Sequence, residues 1–566
     1  MTTDLTLKIG GEAGQGIQTI GTLLAEVCHR AGLFTFSVDD FESRIRGGHN
    51  FNLLRVSDVP IAAPGNAIDI LVAIDDKTLA LNQKNLTPTA ISILNSTKRE
   101  RSSASTLHLP LEELAKQAGN AITANTVAAG AALSIMGAPF DLLKTVLENR
   151  FKAKGDKIVT LNLTAAQKGY DETRKIRTAK KLDWHGQPNN RILMTGAKAA
   201  ALGAIASDCR FYSFYPMSPA TGVITNVVPY AKTLPLVIEQ AEDEIAAVGM
   251  AIGASFAGVR ALTSTSGGGF CLMTESLGLA AISETPLVII NAQRPGPATG
   301  LATRTAQADL LFSIQASQDD FPRFVLAPSS PMATFRLTKK AFTLAERYQV
   351  PVIILLDQFL TTTRVSQEAF PDMDPELETF IVKDEDMANP EAYKRYQFTD
   401  SGISPRALPC MGKALVRGLG NEHDETGHIT EDPELRVKMM DKRNAKINAM
   451  QAEMEMPRAS HLESNTLFVA WGSPGGVVEE AAERLRKEGI DLGWVIFEEI
   501  WPMDPDRIRK ILDNKRLIMV EQNATAQLGR LIAQETGIKP TLSILKYDGR
   551  PFFPDYIIDR AKEIIA

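Results

Sequence analysis

Cysteine is scarce in this chain of 566 residues, which has four: Cys28, Cys209, Cys271 and Cys410. None of them stands in a Cys-x-x-Cys pair, so the chain carries no zinc or iron–sulfur signature of its own. A few scattered cysteines are typical of proteins from a reducing compartment. We therefore expect a cytoplasmic protein.

Long apolar runs are missing as well. Runs such as PVIILL are far shorter than the roughly 18 residues that span a bilayer. No basic segment followed by an apolar one opens the chain, so we expect no export signal. The net charge is −6, from 61 lysines and arginines against 67 acidic residues. This balance argues against nucleic acid or an anionic membrane as the main partner.

The chain does have apolar strands that alternate with amphipathic helices. This alternation favours parallel sheets covered on both faces, so the sequence predicts a multidomain α/β protein with three parallel-sheet units. We expect these units at residues 1–180, 190–364 and 465–566. Residues 365–464 are rich in charge and proline, and they predict a long excursion that wraps over a neighbour and ends in a helix.

A glycine-rich loop, GGEAGQGIQTIG, joins the first predicted strand to a helix that we expect from about Ile17. Backbone N–H groups at such a helix start can cradle a phosphate. The spacing of Gly11, Gly14 and Gly16 is not G-x-G-x-x-G, so the loop does not favour a nicotinamide cofactor. A tight strand-to-helix turn explains the glycines as well as anion binding does.

Polar and glycine-rich turns follow three strands of the second unit. The turn FYPMSPATG contains two prolines, which cannot extend a sheet ladder, so it begins at the carboxyl end of a strand. In open α/β sheets, ligands bind at that edge. The glycines of TSTSGGGF let a flat ring approach closely, and Arg294 suits a carboxylate or phosphate. A flexible turn and a surface arginine are the alternatives.

Two glutamates flank a predicted helix in IEQAEDEIAAVGMAIGASFAG: Glu242 and Glu244. Either could be half buried at a domain interface, where a carboxyl of raised pKa shares a proton well with a ligand. The apolar periodicity does not choose between them. A solvated glutamate is the default interpretation of each.

A second group of ionisable residues lies in NEHDETGH, where His423 and His428 stand among several acids. A metal site is one interpretation of this stretch. A solvated acidic loop is the interpretation that we favour.

Taken together, these motifs resemble the 2-oxoacid:ferredoxin oxidoreductase family over essentially the whole chain. Their order is that of a fused gamma–alpha subunit, and this layout is most similar to that of 2-oxoglutarate enzymes. The motifs similar to the pyrimidine-binding domain of thiamine diphosphate enzymes are FYPMSPATG, EDEIAAVGMAIGASFAG, TSTSGGGFCLMTESLGLA and GPATGLATRTAQADL. Those similar to the gamma domain are GGEAGQGIQTIG and FESRIRGGHNFNLLRVSD, and VEQNATAQLGRLI resembles the end of a transketolase C-terminal-like domain.

This resemblance implies oxidative decarboxylation of a 2-oxoacid, first of all 2-oxoglutarate, with thiamine diphosphate as cofactor. Coenzyme A would take the acyl group, and electrons would pass through iron–sulfur centres to ferredoxin or flavodoxin. The chain has no Gly-Asp-Gly motif and no cysteine set for a cluster. A beta subunit would therefore supply the diphosphate site, Mg²⁺ and a [4Fe-4S] cluster in an (αβ)2 hetero-oligomer, and this chain alone would be inactive.

The resemblance also implies roles for single residues. Glu244 would bond nitrogen N1′ of the aminopyrimidine and favour the tautomer that accepts a proton. Arg294 would face the substrate carboxylate, and the hydroxyl of Ser218 would bond the substrate. Further cofactor-binding candidates are Tyr215, Pro216, Pro219 and Gly269. Candidates for substrate or coenzyme A are Thr303, Arg304, Gly14, Gly16 and Arg46, with Arg304 as partner of a distal carboxylate.

The sequence departs from the family pattern near this pocket. Met217 and Ser218 replace the usual Ile-Thr, Gly268 stands where proline is common, and Ala302 breaks the common G-L-P-T. These changes leave pyruvate, branched-chain or aryl 2-oxoacids as alternative substrates. A non-catalytic scaffold or electron-transfer adaptor of the same fold is a further alternative, and a nucleotide-binding dehydrogenase is a third.

Overall fold

The computed structural model of the protein describes residues 3–43, 47–97, 105–184, 190–371, 377–383, 393–411 and 415–565. The chain forms two compact units, each assembled from separate stretches of sequence. The first unit comprises Met1–Met194, Thr362–Ala369 and Phe553–Tyr556, and the second comprises Thr195–Thr361, Phe370–Phe552 and Ile557–Ala566.

The strands of the described residues follow one another between the helices. They are β1 (Asp4–Ala13), β2 (Phe34–Asp40), β3 (Gly47–Ser57), β4 (Ile68–Ala73), β5 (Leu86–Asn95), β6 (Thr106–Leu109), β7 (Arg191–Thr195), β8 (Cys209–Phe214), β9 (Val237–Gln240), β10 (Arg260–Thr265), β11 (Leu287–Gln293), β12 (Phe324–Leu326), β13 (Pro351–Asp357), β14 (Arg364–Glu368), β15 (Arg458–Ser460), β16 (Thr466–Trp471), β17 (Gly493–Phe497), β18 (Glu499–Trp501), β19 (Arg516–Glu521) and β20 (Leu542–Leu545).

The helices are distributed over the same ranges, and none in the described part of the chain is long and apolar enough to cross a membrane. They are α1 (Ile17–Arg30), α2 (Asp76–Asn82), α3 (Leu111–Ala118), α4 (Ala124–Met136), α5 (Phe140–Phe151), α6 (Asp156–Thr173), α7 (Gly196–Ala206), α8 (Thr221–Val227), α9 (Glu244–Phe256), α10 (Gly267–Ile282), α11 (Leu310–Gln315), α12 (Pro331–Tyr348), α13 (Gln358–Thr362), α14 (Pro433–Glu453), α15 (Gly475–Lys487), α16 (Pro505–Leu512), α17 (Gln527–Thr536) and α18 (Pro554–Ile565).

The first sheet has the strand order β6-β5-β4-β1-β3-β2-β14-β7. Strands β6, β5, β4 and β1 run parallel, as the sequence predicts, whereas β3 is antiparallel to both β1 and β2, and β14 is antiparallel to β2. The short link between β2 and β3 explains why these two strands are antiparallel, because a short connection can join only antiparallel neighbours.

Helix α1 begins where the sequence predicts it, at Ile17. Its buried side chains, among them Ile20 and Leu24, recur at helical spacing and pack on the buried face of β1. Gly16 precedes the helix in the left-handed conformation, with φ 72°. A Cβ atom there would overlap the side chain of Asn125, so this position requires glycine on two grounds.

The second sheet has the order β18-β12-β13-β11-β10-β8-β9 and is parallel except for β18. Strand β13, PVIILLD, is buried along its whole length, as expected for a parallel strand covered on both faces. The third sheet, β15-β17-β16-β19-β20, is parallel except for β15. The prediction of a multidomain α/β fold with three mostly parallel sheets is confirmed.

One strand connects the last part of the chain with the second sheet. Strand β18 follows β17 of the third sheet directly, and it pairs with β12 through Val325↔Trp501 and Leu326↔Glu499. The second and third sheets therefore share one compact unit. The functional domain limits expected at residues 180, 190, 364 and 464 stay a prediction.

The charged excursion ends in a helix, α14, as the sequence predicts. Two of its lysines are almost fully buried, and both contact the buried carboxylate of Glu284. Lys446 Nζ lies 2.7 Å from Glu284 Oε2, and Lys442 Nζ contacts Oε1. Burial alone would raise the pKa of Glu284, but Lys446 and Lys442 hold it well below its usual range. This ion cluster fixes α14 to the end of α10.

The prediction of a solvated loop is wrong for His423 and correct for His428. His423 is fully buried, its ring centroid lies 3.9 Å from that of Tyr396, and its Nδ1 lies 2.9 Å from the carbonyl of Asn421. Burial lowers the pKa of His423, whereas the side chain of His428 is largely exposed. No group of three or more potential metal ligands occurs among the described residues.

Candidate active site

Three neighbouring strands of the second sheet bring the predicted site residues to one edge. Strand β10 lies between β8 and β11, and all three run parallel. Phe214 pairs with Ser264, and Thr265 pairs with Asn291, so the three strands end at nearly the same level. The turn after β8, the glycines after β10 and Arg294 after β11 therefore lie side by side at the carboxyl edge.

The turn after β8 presents the predicted cofactor residues. Tyr215, Pro216 and Ser218 are exposed, whereas Pro219 is buried. The turn is closed by the N–H of Thr221, which donates to the carbonyl of Met217 at 3.2 Å. An aromatic ring and a hydroxyl are thus available to a ligand at this edge.

Arg294 joins two of the three strand ends. Its Nη1 donates a hydrogen bond of 2.8 Å to the backbone carbonyl of Ser218. The guanidinium therefore passes across the end of β10, which separates β8 from β11. Burial lowers the pKa of Arg294. This bond uses one of the five N–H donors of the guanidinium.

Glu244 is the buried member of the glutamate pair. It is the first residue of α9 and follows Asp243, whose side chain caps the helix by accepting from the N–H of Ala246 at 2.7 Å. Glu244 is 3% exposed, whereas Glu242 is exposed. Its Oε1 has no hydrogen-bond partner in the part of the chain that the structure describes. Burial raises the pKa of Glu244.

Glu244 is in contact with the glycine turn after β10. Helix α10 begins within this turn, at Gly267. A Cβ atom at Gly269 would overlap Glu244 Oε1 and Thr265 Oγ1. At Gly268, the nearest atom to such a Cβ is the carbonyl oxygen of Ala298, 3.9 Å away. The close contact with Glu244 and Thr265 explains why residue 269 is a glycine. No such contact explains Gly268.

Three further polar groups at this edge are ones that the sequence analysis missed. Ser266 Oγ and Asn291 Oδ1 are fully buried and have no hydrogen-bond partner among the described residues. Asn291 Nδ2 donates to Asp309 Oδ2 at 3.1 Å. Burial raises the pKa of Asp309 to about 6. In the sequence, Asp309 is distinguished only by its place directly before the apolar run of α11.

The remaining predicted residues have different environments. Thr303 is half buried, and Arg304 is buried beneath Gly549, where an added Cβ would lie 3.0 Å from the Cβ of Arg304. Gly14 and Gly16 lie in the first unit, with φ of 88° and 72°. Arg46 lies outside the described residues.

Three sequence-family models match almost consecutive parts of the chain. Residues 6–172 match "Pyruvate ferredoxin/flavodoxin oxidoreductase", and residues 202–442 match "Pyruvate flavodoxin/ferredoxin oxidoreductase, thiamine diP-bdg". Residues 464–552 match "Pyruvate:ferredoxin oxidoreductase core domain II".

Comparison with whole proteins leads to the same group of enzymes. The alpha subunit of a 2-oxoacid:ferredoxin oxidoreductase from Sulfolobus sp is 31% identical over 99% of this chain and 97% of that protein. The chain belongs to the 2-oxoacid:ferredoxin oxidoreductase family. It corresponds to the alpha subunit of these oxidoreductases.

Two further members of the family carry names that specify a substrate. The 2-oxoglutarate synthase subunit KorA of Methanocaldococcus jannaschii is 33% identical over 58% of this chain and 88% of that protein. The solved 2-oxoglutarate:ferredoxin oxidoreductase from Magnetococcus marinus, with 2-oxoglutarate, coenzyme A and succinyl-CoA bound, has 31% identity. It covers 100% of both chains with a TM-score of 0.91.

Ser218, Glu244 and Arg294 all lie in residues 202–442, the part of the chain that matches the thiamine diphosphate-binding family model. The local geometry fits the flat aminopyrimidine part of that cofactor. A buried carboxyl oxygen without a partner needs a polar group from a ligand, because an unpaired buried polar atom is costly. The missing side chain at Gly269 is what lets Glu244 Oε1 lie against the start of α10.

Proposed function

We propose that this chain is the alpha subunit of a coenzyme A-acylating 2-oxoglutarate:ferredoxin oxidoreductase. The reaction is the oxidative decarboxylation of the 2-oxoacid to an acyl-CoA and CO2, with the electrons passing to ferredoxin or flavodoxin. The choice of 2-oxoglutarate is supported by the names of the Magnetococcus and Methanocaldococcus relatives. The reaction class is supported by the family.

The observation that carries this proposal is the placement of Arg294 and Glu244 at one edge of the second sheet. Arg294 reaches across the end of β10 to Ser218, and Glu244 Oε1 lies against Gly269 at the start of α10, without a partner among the described residues. A fixed cation after β11 and a buried proton-sharing carboxyl after β9 therefore lie at the same sheet edge. A 2-oxoacid needs the first for its carboxylate, and the cofactor ring needs the second.

Each residue has a separate task in this proposal. Glu244 Oε1 holds the proton that it shares with nitrogen N1′ of the aminopyrimidine, and burial keeps that proton on the carboxyl at higher pH. Thiamine diphosphate, when bound, supplies the carbon nucleophile and the electron sink for decarboxylation. Arg294 orients the 2-oxoacid through its carboxylate, and the Ser218 hydroxyl bonds the substrate.

The other residues form the walls of the two ligand sites. Tyr215, Pro216, Pro219 and Gly269 line the cofactor pocket, and Arg304 pairs with the distal carboxylate of 2-oxoglutarate. Thr303 contacts substrate or coenzyme A. In the first unit, Gly14, Gly16 and Arg46 contribute to coenzyme A binding, because the N–H groups before α1 suit a phosphate.

A beta subunit completes the enzyme in this proposal. The described residues contain no metal-ligand group, and none of the four cysteines stands in a cluster motif. The partner therefore binds the diphosphate through Mg²⁺ and carries a [4Fe-4S] cluster, and the assembly is (αβ)2. The chain alone is inactive.

The test is coenzyme A-dependent viologen reduction by this chain co-expressed with a beta-type subunit from the same organism. The substrates are 2-oxoglutarate, pyruvate, branched-chain and aryl 2-oxoacids. Activity with 2-oxoglutarate that collapses in Glu244→Gln and not in Glu242→Gln supports the proposal. A preference for another 2-oxoacid corrects the substrate and leaves the reaction class intact.

Two controls address the other interpretations. Turnover by this chain without a beta subunit contradicts its dependence on a partner. If a complex shown to contain thiamine diphosphate and its clusters has no activity with any of the 2-oxoacids, a scaffold or electron-transfer adaptor is favoured. Saturable binding of NAD(H) in a spectral titration favours a dehydrogenase.

A further inference from the structure

The loop between β11 and α11 carries Arg294 and Arg304 along the candidate active site. It comprises residues 294–309, all of which the structure describes, and it contains no helix or strand. A Cβ atom at Gly268 would lie 3.9 Å from the carbonyl oxygen of Ala298, so the loop passes the first turn of α10. Loops that carry site residues take their position from the scaffold to which they are bonded.

This loop has an exposed tip and a buried return stretch. Residues 296–301 are exposed, whereas residues 304–307 are buried. Within the return stretch, the polar side chain of Gln307 is fully buried. Because buried polar groups in folded proteins are hydrogen-bonded, the partners of Gln307 determine where the return stretch lies.

Gln307 uses all four of its polar groups on the third sheet. Its N–H donates to the carbonyl of Gln522 at 2.8 Å, and its carbonyl accepts from Asn523 Nδ2 at 3.1 Å. Its side-chain Oε1 accepts from the N–H of Gln522 at 3.2 Å, and its Nε2 donates to the carbonyl of Trp471 at 2.6 Å. Trp471 ends β16, and Gln522 follows β19 directly. Gln307 therefore bonds the loop to the carboxyl ends of two neighbouring strands.

The side chain at residue 307 needs a donor and an acceptor side by side. The N–H of Gln522 requires an acceptor, and the carbonyl of Trp471 requires a donor. An amide provides both, methionine provides neither, and glutamate provides the donor only while it is protonated. A Cβ atom at Gly472 would lie 3.1 Å from Gln307 Nε2, so the amide is also closely enclosed.

The groups that Gln307 contacts are themselves fixed by a buried carboxyl. Glu521 is fully buried, and its Oε2 accepts from Asn523 Nδ2 at 2.8 Å and from Trp471 Nε1 at 3.1 Å. Two N–H groups of the first turn of α17 donate to the same carboxyl. This arrangement orients the amide of Asn523 toward the carbonyl of Gln307. We call the four residues the platform: Trp471, Glu521, Gln522 and Asn523.

A second amide of the third-sheet region binds the end of the same loop. Gln527 on α17 donates from Nε2 to the carbonyl of Ala308 at 2.7 Å. Its Oε1 accepts from the N–H of Leu311 at 3.1 Å. Gln527 is only half buried, so water can replace its bonds more easily than those of a fully buried amide.

We propose that Gln307 is a positioning residue for the 2-oxoacid, through which the platform sets the affinity for a substrate that it does not touch. This inference rests on the proposed function, in which Arg294 and Arg304 bind the carboxylates of 2-oxoglutarate. Both arginines belong to the loop that Gln307 anchors, whereas Glu244 belongs to α9. Loss of the anchor therefore displaces the carboxylate-binding groups and leaves the proton-sharing carboxyl in place.

The experiment compares the steady-state kinetics of holo complexes with their preferred 2-oxoacid. Gln307→Met keeps the length of the side chain and removes both of its hydrogen bonds. We expect the KM for the 2-oxoacid to rise about 10- to 100-fold, since a misplacement of about 1 Å can cost about 10²-fold. We expect kcat to stay within about threefold, the pattern of lost substrate binding.

Two further variants and a control accompany this measurement. Gln527→Met should raise the KM by about 2- to 10-fold, the worth of a typical hydrogen bond. Gln534→Met, at an exposed position of the same helix, is the matched control and should leave KM unchanged. Gln307→Glu tests rescue, because a protonated carboxyl restores both bonds and burial favours the protonated form. Its KM should be near that of wild type at about pH 6 and approach that of Gln307→Met at about pH 8.5.

The outcomes separate this inference from the proposed function. A lower unfolding temperature of Gln307→Met with an unchanged KM assigns the residue a merely structural role and overturns the inference, while the enzyme assignment stands. A fall in kcat at constant KM overturns it as well. If Gln307→Met does not assemble, an unchanged KM in Gln527→Met overturns the inference. If the wild-type complex has no activity with any 2-oxoacid, the proposed function is overturned and this inference with it.

Discussion

Gly269 and Glu244 are in direct steric contact across the start of α10, so that no side chain fits at residue 269 while the carboxyl keeps its place. A Cβ atom there would overlap Glu244 Oε1. The glycine thus allows the buried carboxyl to keep its position.

The first prediction concerns the glycine itself. Gly269→Ala displaces Glu244 and is expected to lower kcat about as much as loss of a general acid–base group, on the order of 10²-fold or more. Gly268→Ala is the matched control, because its added methyl meets nothing closer than 3.9 Å. Viologen reduction by both holo complexes is the measurement. Equal activity of the two variants would contradict a steric role of Gly269.

The second prediction concerns the carboxyl group of Glu244. Glu244→Gln is expected to lose about 10²- to 10⁴-fold in kcat. Because the pKa of Glu244 is raised in the folded protein, its ionisation opposes folding, and this cost grows as the pH rises through the folded-state pKa. The variant should therefore be at least as stable as wild type at pH 8, as measured by thermal unfolding. A variant that is both inactive and less stable at alkaline pH would contradict this account.

The third prediction addresses the guanidinium. Arg294→Lys keeps a charge but loses the planar geometry that binds a carboxylate and reaches Ser218. We expect the KM for the 2-oxoacid to rise by about 10- to 100-fold, which corresponds to roughly 1.5 to 3 kcal/mol for a charge-assisted hydrogen bond. Arg210→Lys, near the opposite end of β8, should leave KM unchanged. An unchanged KM in Arg294→Lys would place the substrate carboxylate elsewhere.

The fourth prediction concerns the buried ion cluster of α14. Lys446→Met leaves the buried carboxylate of Glu284 with one lysine fewer and is expected to cost about 3 to 5 kcal/mol of stability, seen as a lower unfolding temperature. Lys438→Met, on the exposed side of the same helix, should cost little. Combining Lys446→Met with Glu284→Gln should restore part of the loss. If the loss of stability in the double variant equals the sum of the losses in the two single variants, Lys446 and Glu284 are not directly coupled.

The same cluster predicts a pH dependence. The lysines hold the pKa of Glu284 below its value in the unfolded chain, so the ion pair stabilises the fold above about pH 4.3. This stabilisation is lost as the pH falls toward the depressed folded-state pKa. Glu284→Gln should therefore show a weaker loss of stability in acid than wild type, as followed by circular dichroism between about pH 5 and 3.

Local patterns were sufficient for much of the fold. The start of α1 at Ile17, the strand β13 and the presence of α14 follow from periodicity and capping, which neighbouring residues determine. The antiparallel pairing of β3 and the insertion of β14 between β2 and β7 do not, because they depend on which distant strands meet. The same holds for the burial of His423 under Tyr396.

In the candidate site, too, features set by neighbouring residues could be predicted, and features set by distant residues could not. Residues that follow a strand, such as Ser218 and Arg294, could be placed at the sheet edge from the sequence. Periodicity could not choose Glu244 over Glu242, because both flank the apolar stripe and only the approach of α10 buries one of them; the resemblance to the family made that choice. Asp309 was missed because its partners, Asn291 and Gln527, are distant in sequence. The roles of the cofactor and substrate residues stay predictions.

The late strands β14 and β18 have a consequence for the synthesis of this protein. The first sheet lacks an internal strand until residue 368 has emerged from the ribosome, and the second sheet lacks its edge strand until residue 501 has emerged. Until then the nascent chain exposes the unpaired backbone of β2 and β12, which is a template for pairing with other chains. At roughly 5 to 20 residues per second this interval lasts many seconds, so a chaperone that covers strand edges would increase the yield of folded subunit.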